Sequence, residues 1–221
     1  MSLLQCLERE PAGAANAAVI WMHGLGATAH DFHDVPPMLN LPAELRVRYV
    51  FPQAPSIPVT INGGMSMPAW YDIRSLDSRN DDVEGIQRSE AQVRALVDRE
   101  VERGVEPGRI VVAGFSQGGA MALQTALRHP QRLAGVMVLS AYLLLADRVE
   151  AEAAPANRDV PIFMAHGMHD PVVPYDKAAL SRRRLEELGW GVEWRAYPMA
   201  HQVLPQEIGD IGAWLSQVLA A

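Results

Sequence analysis

The sequence predicts an α/β domain built on a mostly parallel central sheet flanked by helices. Three observations predict it: short, largely apolar runs recur along the chain, amphipathic helical patterns lie between them, and glycine, proline or charge separates each from the next. A length of 221 residues suits a single domain over residues 1–221, with a core large enough to hold a rigid site.

The apolar runs are Ala17 to Met22, Val47 to Phe51, Ile110 to Gly114, Ala134 to Leu139, Val160 to Ala165 and Val192 to Tyr197. They are rich in Val and Ile and, apart from Arg48, Glu193 and Arg195, apolar throughout, the pattern of strands covered on both faces. The first helical pattern opens at Asp82 and Val83, carries Ile86, Val93, Leu96, Val97 and Val101, and stops at Gly104. A second begins after Ser116 and ends before Pro130, a third runs from about Tyr175 to Leu188 with Gly189 as its stop, and a fourth from about Pro205 to Leu219. The stretch from Pro52 to Ser75 breaks this rhythm with four prolines, two glycines and no helical period. Loops of that length are functional or disordered, and its Met65, Met67, Trp70 and Tyr71 favour packing over a site.

Charge and cysteine content exclude several classes. With 26 acidic against 19 basic residues and one basic run, Arg182 to Arg184, the chain lacks the footprint of a nucleic-acid binder. A hydrophobic fraction of 49% with no low-complexity tract excludes a disordered chain. The single cysteine, Cys6, cannot form an intramolecular disulfide or a cysteine-built zinc site, so it reads as an incidental small hydrophobe in a cytoplasmic protein. The N-terminus has no basic region ahead of an apolar one, and no apolar run reaches the roughly 20 residues of a membrane span. Neither a signal peptide nor a spanning segment is expected.

The sharpest chemical signal is Gly114-Phe115-Ser116-Gln117-Gly118-Gly119, placed after a strand and opening a helix. In that context G-x-S-x-G is a nucleophile elbow, a tight turn that lifts a serine hydroxyl above the sheet while the helix N-terminus presents free N–H groups. Serine needs a base, and the base a third group to orient it. The α/β-hydrolase order of Ser, acid, His selects among the downstream histidines. His129 lies at the far end of the helix, and His166 and His169 belong to the strand and turn before Asp170. His201 follows the last strand and is the expected base. Asp170, at the carboxyl end of the preceding strand, is the expected acid, ahead of Asp147, Asp159 and Asp176. His23-Gly24-Leu25-Gly26 follows the first strand directly, which makes the Leu25 N–H the partner of the Gln117 N–H in an oxyanion hole. His23 is expected to shape that loop, and His30 and His33 to have no chemistry.

Taken with Phe51-Pro52-Gln53-Ala54-Pro55, Pro68-Ala69-Trp70-Tyr71-Asp72-Ile73, His166-Gly167 through Pro174 and Tyr197 through His201, these motifs resemble the phospholipase/carboxylesterase family over nearly the whole chain. That family includes the acyl-protein thioesterases and small bacterial carboxylesterases. Pro58 through Gly64 and Met199 through Ile208 look closest to the latter. The resemblance implies an α/β-hydrolase fold and a serine esterase of short-chain carboxylic esters, often dimeric and needing no cofactor or metal. Ala27 and Ala200 depart from the family's usual Asp and Gly beside the pocket, which bears on substrate preference.

Between the strand ending near Ser140 and the next, residues 141–159 are too few for a large lid domain, so an open, shallow site is expected. Its substrate-binding walls are expected from Met65, Met67, Trp70 and Tyr142 to Leu145, Leu143 foremost. Leu143 to Leu145 could equally be core, or an exposed patch for a homodimer. A thioesterase or lysophospholipase acting on long acyl chains is the first alternative function, and a non-catalytic binding protein on the same fold the second.

Overall fold

The computed structural model describes residues 3–74 and 81–220. Its strands are β1 (Cys6–Arg9), β2 (Ala17–Met22), β3 (Val47–Pro52), β4 (Ser56–Val59), β5 (Met65–Pro68), β6 (Ile110–Phe115), β7 (Gly135–Leu139), β8 (Ile162–Gly167) and β9 (Val192–Tyr197). The helices are α1 (Val83–Glu102), α2 (Gln117–Arg128), the single turn α3 (Val149–Glu152), α4 (Tyr175–Glu187) and α5 (Pro205–Ala220). Seven strands form the main sheet in the order β1-β3-β2-β6-β7-β8-β9. Every neighbouring pair is parallel except β1 with β3. This is the α/β-hydrolase architecture.

Burial on both faces explains the uniform apolar runs. Ile20 and Met22 of β2, Val112 of β6 and Val138 of β7 pack under Ile86, Leu96, Met121 and Leu123 of α1 and α2. Their alternate neighbours, Trp21, Ala113 and Leu139, join Phe51, Phe163 and the α5 residues Trp214 and Leu215 on the other face. The edge is closed by charge: Glu100 of α1, fully buried, is held by Arg48 of β3 at 2.8 Å and by Arg99 and Arg103 at 3.0 Å.

Two elements depart from the sequence reading. β1 is a half-exposed antiparallel edge strand with no apolar run to announce it. The Pro52 to Ser75 stretch contains a hairpin, β4 paired with β5, turned through Gly63 and Gly64 at φ +67° and +79°. Cys6, in β1, donates to the Leu4 carbonyl at 3.4 Å, and burial pushes its thiol up to about 11. Among the described residues no helix is long and apolar enough to cross a membrane.

The junction that positions the site lies where α2 meets the sheet. A Cβ on Gly118 would stand 2.5 Å from the Met22 carbonyl oxygen and 2.6 Å from that of His23. Helix propensity favours Ala over Gly by about 1 kcal/mol, but this contact reverses the sign. Gly118→Ala is expected to lower stability by about 1–3 kcal/mol, read as a lower urea midpoint with an unchanged slope.

Candidate active site

Ser116 follows β6 directly and adopts φ +55°, ψ −122°, a backbone conformation that L-residues rarely take. Its N–H donates to the Leu139 carbonyl at 2.8 Å, and its own carbonyl accepts from Ala120 at 3.0 Å. The turn is therefore anchored both to β7 and to the first turn of α2. The Ser116 hydroxyl lies 3.0 Å from His201 Nε2, and His201 Nδ1 lies 2.6 Å from Asp170 Oδ2. These partners assign the proton of the neutral ring to Nδ1, leaving Nε2 free to accept from serine. Asp170 Oδ1 accepts from the Val172 and Val173 N–H groups at 2.8 and 2.9 Å.

The loops bearing His201 and Asp170 continue the β8–β9 pairing past the strands. Met168 N–H donates to the Tyr197 carbonyl at 2.8 Å and His169 N–H to that of Met199 at 3.0 Å. Gly167 makes room for this, since a Cβ there would strike the Met199 and Ala200 carbonyl oxygens. The His201 ring packs on Phe115, centroids 4.7 Å apart.

On the opposite side, Gly24 lies against Ser116, and Gly26 at φ +74° donates its N–H to the Pro68 carbonyl at 2.8 Å. The Leu25 and Gln117 N–H groups have no partner among the described residues, and both residues line the cavity over Ser116. His23 shapes this loop: its Nε2 accepts from the Ala54 N–H at 3.1 Å, and burial holds its pKa below the usual range. The cavity, about 410 Å³, is walled by Ile61, Tyr71, Ile73, Tyr142, Val172 and Val173. A serine, an imidazole and a buried aspartate so connected, beside two N–H groups with no partner among the described residues, can carry out acyl transfer.

A sequence model of the phospholipase/carboxylesterase family matches residues 8–219. The chain belongs to this family. It is 40% identical to acyl-protein thioesterase 1 of Gibberella zeae over 92% of this chain and 91% of that protein. With acyl-protein thioesterase 1 of Neurospora crassa the identity is 42%, over 92% and 87% of the two chains. The crystal structure of Zea mays acyl-protein thioesterase 2 superposes with a TM-score of 0.86 at 29% identity, covering 97% of this chain and 99% of that one. This phospholipase/carboxylesterase family member is accordingly a hydrolase.

The walls of the family member's cavity differ from those expected. Trp70 is fully buried beneath the loop rather than facing the cavity: its N–H donates to Gln117 Oε1 at 2.8 Å, its indole N–H to the His23 carbonyl at 2.9 Å, and its carbonyl accepts from Ser89. Met65 points outward at 64% exposure, and the Met67 sulfur takes a hydrogen bond from Asn62 at 3.2 Å; neither lines the cavity. The long loop contributes Ile61, Asn62, Tyr71 and Ile73 instead. Leu143, Leu144 and Leu145 are all buried, so they form no exposed patch for a homodimer. Leu143 lines a second cavity, of about 730 Å³, with Leu145 and Leu180. The Gln117 side chain was not foreseen: besides accepting from Trp70, its amide donates to the Tyr71 carbonyl at 2.7 Å. His129 caps α2, while His30 and His169 are exposed and outside the cavity lining. His33 meets Asp34 at 3.2 Å.

Just beyond His201, Glu207 opens α5 with its carboxyl fully buried; Oε2 accepts from the Leu204 N–H at 3.4 Å and Oε1 has no partner among the described residues. Burial first, and the Asp210 charge second, push its pKa up to about 7. An unfolded Glu releases its proton near 4.5 whereas the folded one keeps it to about 7, so stability is greatest below the lower value and falls as pH rises between them. Glu207→Gln cannot ionise. It should be more stable than the parent by about 3 kcal/mol at about pH 8 and nearly equal at about pH 4, as urea unfolding at the two pH values will measure.

Proposed function

We propose that this protein cleaves acyl thioesters, the activity named in its acyl-protein thioesterase relatives, and acyl oxyesters as well, through an acyl-enzyme. One observation carries the reading: the Ser116–His201–Asp170 relay, with links of 3.0 and 2.6 Å, stands at the mouth of an apolar cavity.

In this reading Ser116 Oγ attacks the acyl carbonyl carbon as His201 Nε2 takes the hydroxyl proton, and Asp170 holds the Nδ1–H of the resulting imidazolium. The developing oxyanion faces the Leu25 and Gln117 N–H groups, the latter at the positive end of α2. Collapse expels the thiol or alcohol with the proton from His201, and water repeats the sequence on the acyl-enzyme. A thiolate, whose acid has a pKa of about 8.5, departs with less proton transfer than an alkoxide, so one relay serves both substrates.

The relatives' names favour a thioester over the oxyester expected from the sequence, and the cavities favour a longer acyl chain than the short one expected. Val173, Pro174 and Lys177 border the first cavity, and Lys177, Leu180, Ser181 and Arg184 the second. Those residues recur at helical spacing, so one face of α4 lines both cavities for about 10 Å beyond Lys177. The Lys177 ammonium sits 3.5 Å over the Tyr142 ring where the two meet. In the proposal the proximal methylenes occupy the first cavity and the distal ones follow α4.

Ser116→Ala should fold normally, lose about 10⁴-fold or more in turnover, and fail to react with a fluorophosphonate probe that labels the parent; normal turnover would sink the proposal and favour a binding protein. Across a series of p-nitrophenyl esters, kcat/KM should keep rising with chain length beyond about eight carbons, at up to about fourfold per methylene. A plateau after the shortest members would restore the short-chain reading.

A further inference from the structure

We propose that His166 is a positioning residue for the relay, its Nε2–H clamping the turn that presents Asp170 to His201. The inference rests on the acyl-hydrolase reading above and adds a residue to it.

His166 is the penultimate residue of β8, four before Asp170, and its side chain is 1% exposed. Its Nε2 lies 2.9 Å from the Val173 carbonyl oxygen. A carbonyl only accepts, so Nε2 carries the proton and Nδ1 is a bare lone pair. That Nδ1 is buried without a partner among the described residues. The rings nearest the imidazole are Tyr175, edge-on at 6.2 Å, and Trp194, stacked at 6.4 Å, surroundings that would suit an apolar side chain. A histidine with an orphaned nitrogen therefore stands here for what its other nitrogen does.

What Nε2 does is close a ring around the acid. Val172 and Val173 give both their N–H groups to Asp170 Oδ1, and the Val173 carbonyl is tied back to His166. With Oδ1 so occupied, Oδ2 is left for His201 at 2.6 Å. Nε2 also lies 3.5 Å from Oδ2, near enough to support the carboxylate without displacing His201. Burial lowers the pKa of the His166 ring below the usual histidine range, which weakens its competition with His201 for the charge of Asp170. The same two valines line the cavity, which places His166 behind both the relay and one wall.

The test compares His166→Gln with His166→Met, side chains of similar shape of which only Gln can donate to the Val173 carbonyl. On p-nitrophenyl butyrate, Met should lower kcat at least about tenfold with a smaller change in KM. Its acid limb in the pH–rate profile should move to lower pH, because an imidazolium less well served by Asp170 gives up its proton sooner. Gln should recover most of both effects. Equal activity and equal profiles in the two variants, or equal loss in both, would overturn the proposal. Should the Met variant fail to fold, ¹⁵N NMR of the unmodified protein decides: Nε2 protonated and Nδ1 bare throughout the active pH range supports it, while the opposite tautomer or an imidazolium refutes it. Absence of Ser116-dependent turnover in the parent would instead strike the functional reading, and the tautomer would still be measurable.

Discussion

Backbone meets backbone where α2 begins, and the rest of the site depends on that approach. Gly118 lies against the carbonyls at the end of β2, Gly114 against Gly118, and Gly119 against Ala141 and the Gly114 carbonyl. Side chains at these places would push the helix off the sheet. With it seated, Ser116 is forced into its unusual turn, at a cost of order 1–3 kcal/mol that the bonds to Leu139 and Ala120 and the packed helix behind it offset. The strain is thus a by-product of placing a helix N-terminus directly over a strand end, the arrangement that also leaves the Gln117 N–H unpaired.

The other half of the site is assembled from a different part of the sheet. Asp170 and His201 come from consecutive β–loop–α units, and their relative position is set by the β8–β9 register, Gly167 opposite Tyr197, carried two residues further by loop hydrogen bonds. Neither loop is long, and each is pinned by the other. The relay is therefore as rigid as a strand pair although no member of it lies in a strand.

How much of this was legible in the sequence depended on how narrowly physics restricts the residue. The five inner strands were readable because burial on both faces demands largely apolar runs, the edge strand β9 from Val192, Trp194 and Tyr197 despite its exposed Arg195, and the helices because one buried face imposes a period. β1 was not, since a half-exposed edge strand reading Cys-Leu-Glu-Arg makes no such demand. The β4–β5 hairpin was hidden by Pro58 and Pro68, tolerated because these strands pair on one side only. Ser116, His201 and Asp170, each within hydrogen-bond distance of the next, were legible because few residue types perform the chemistry proposed for them and the fold places them at strand ends. The cavity walls could not: Trp70 and Met65 are apolar, but apolarity does not tell whether a side chain faces the core, the cavity or solvent. Ile61 and Ile73 became wall residues only through the path of the chain, whereas Tyr142 lines the cavity as expected. His166 was legible as a strand end, and its tie to Val173 only from geometry.

The Gln117 carboxamide joins the cavity wall to the turn that bears Ser116. It bonds both the Trp70 N–H and the Tyr71 carbonyl, while its own backbone N–H is one of the two unpaired groups beside Ser116. The tyrosine that walls the cavity and the amide that would receive the oxyanion are thus two ends of one side-chain link. Under the proposed activity, a change that shifts the backbone at Tyr71 would pull on the turn that bears Ser116 and so couple substrate range to rate. Under that same activity, new specificities are more accessible from the α4 side, where Leu180 lines the second cavity apart from the Gln117 link.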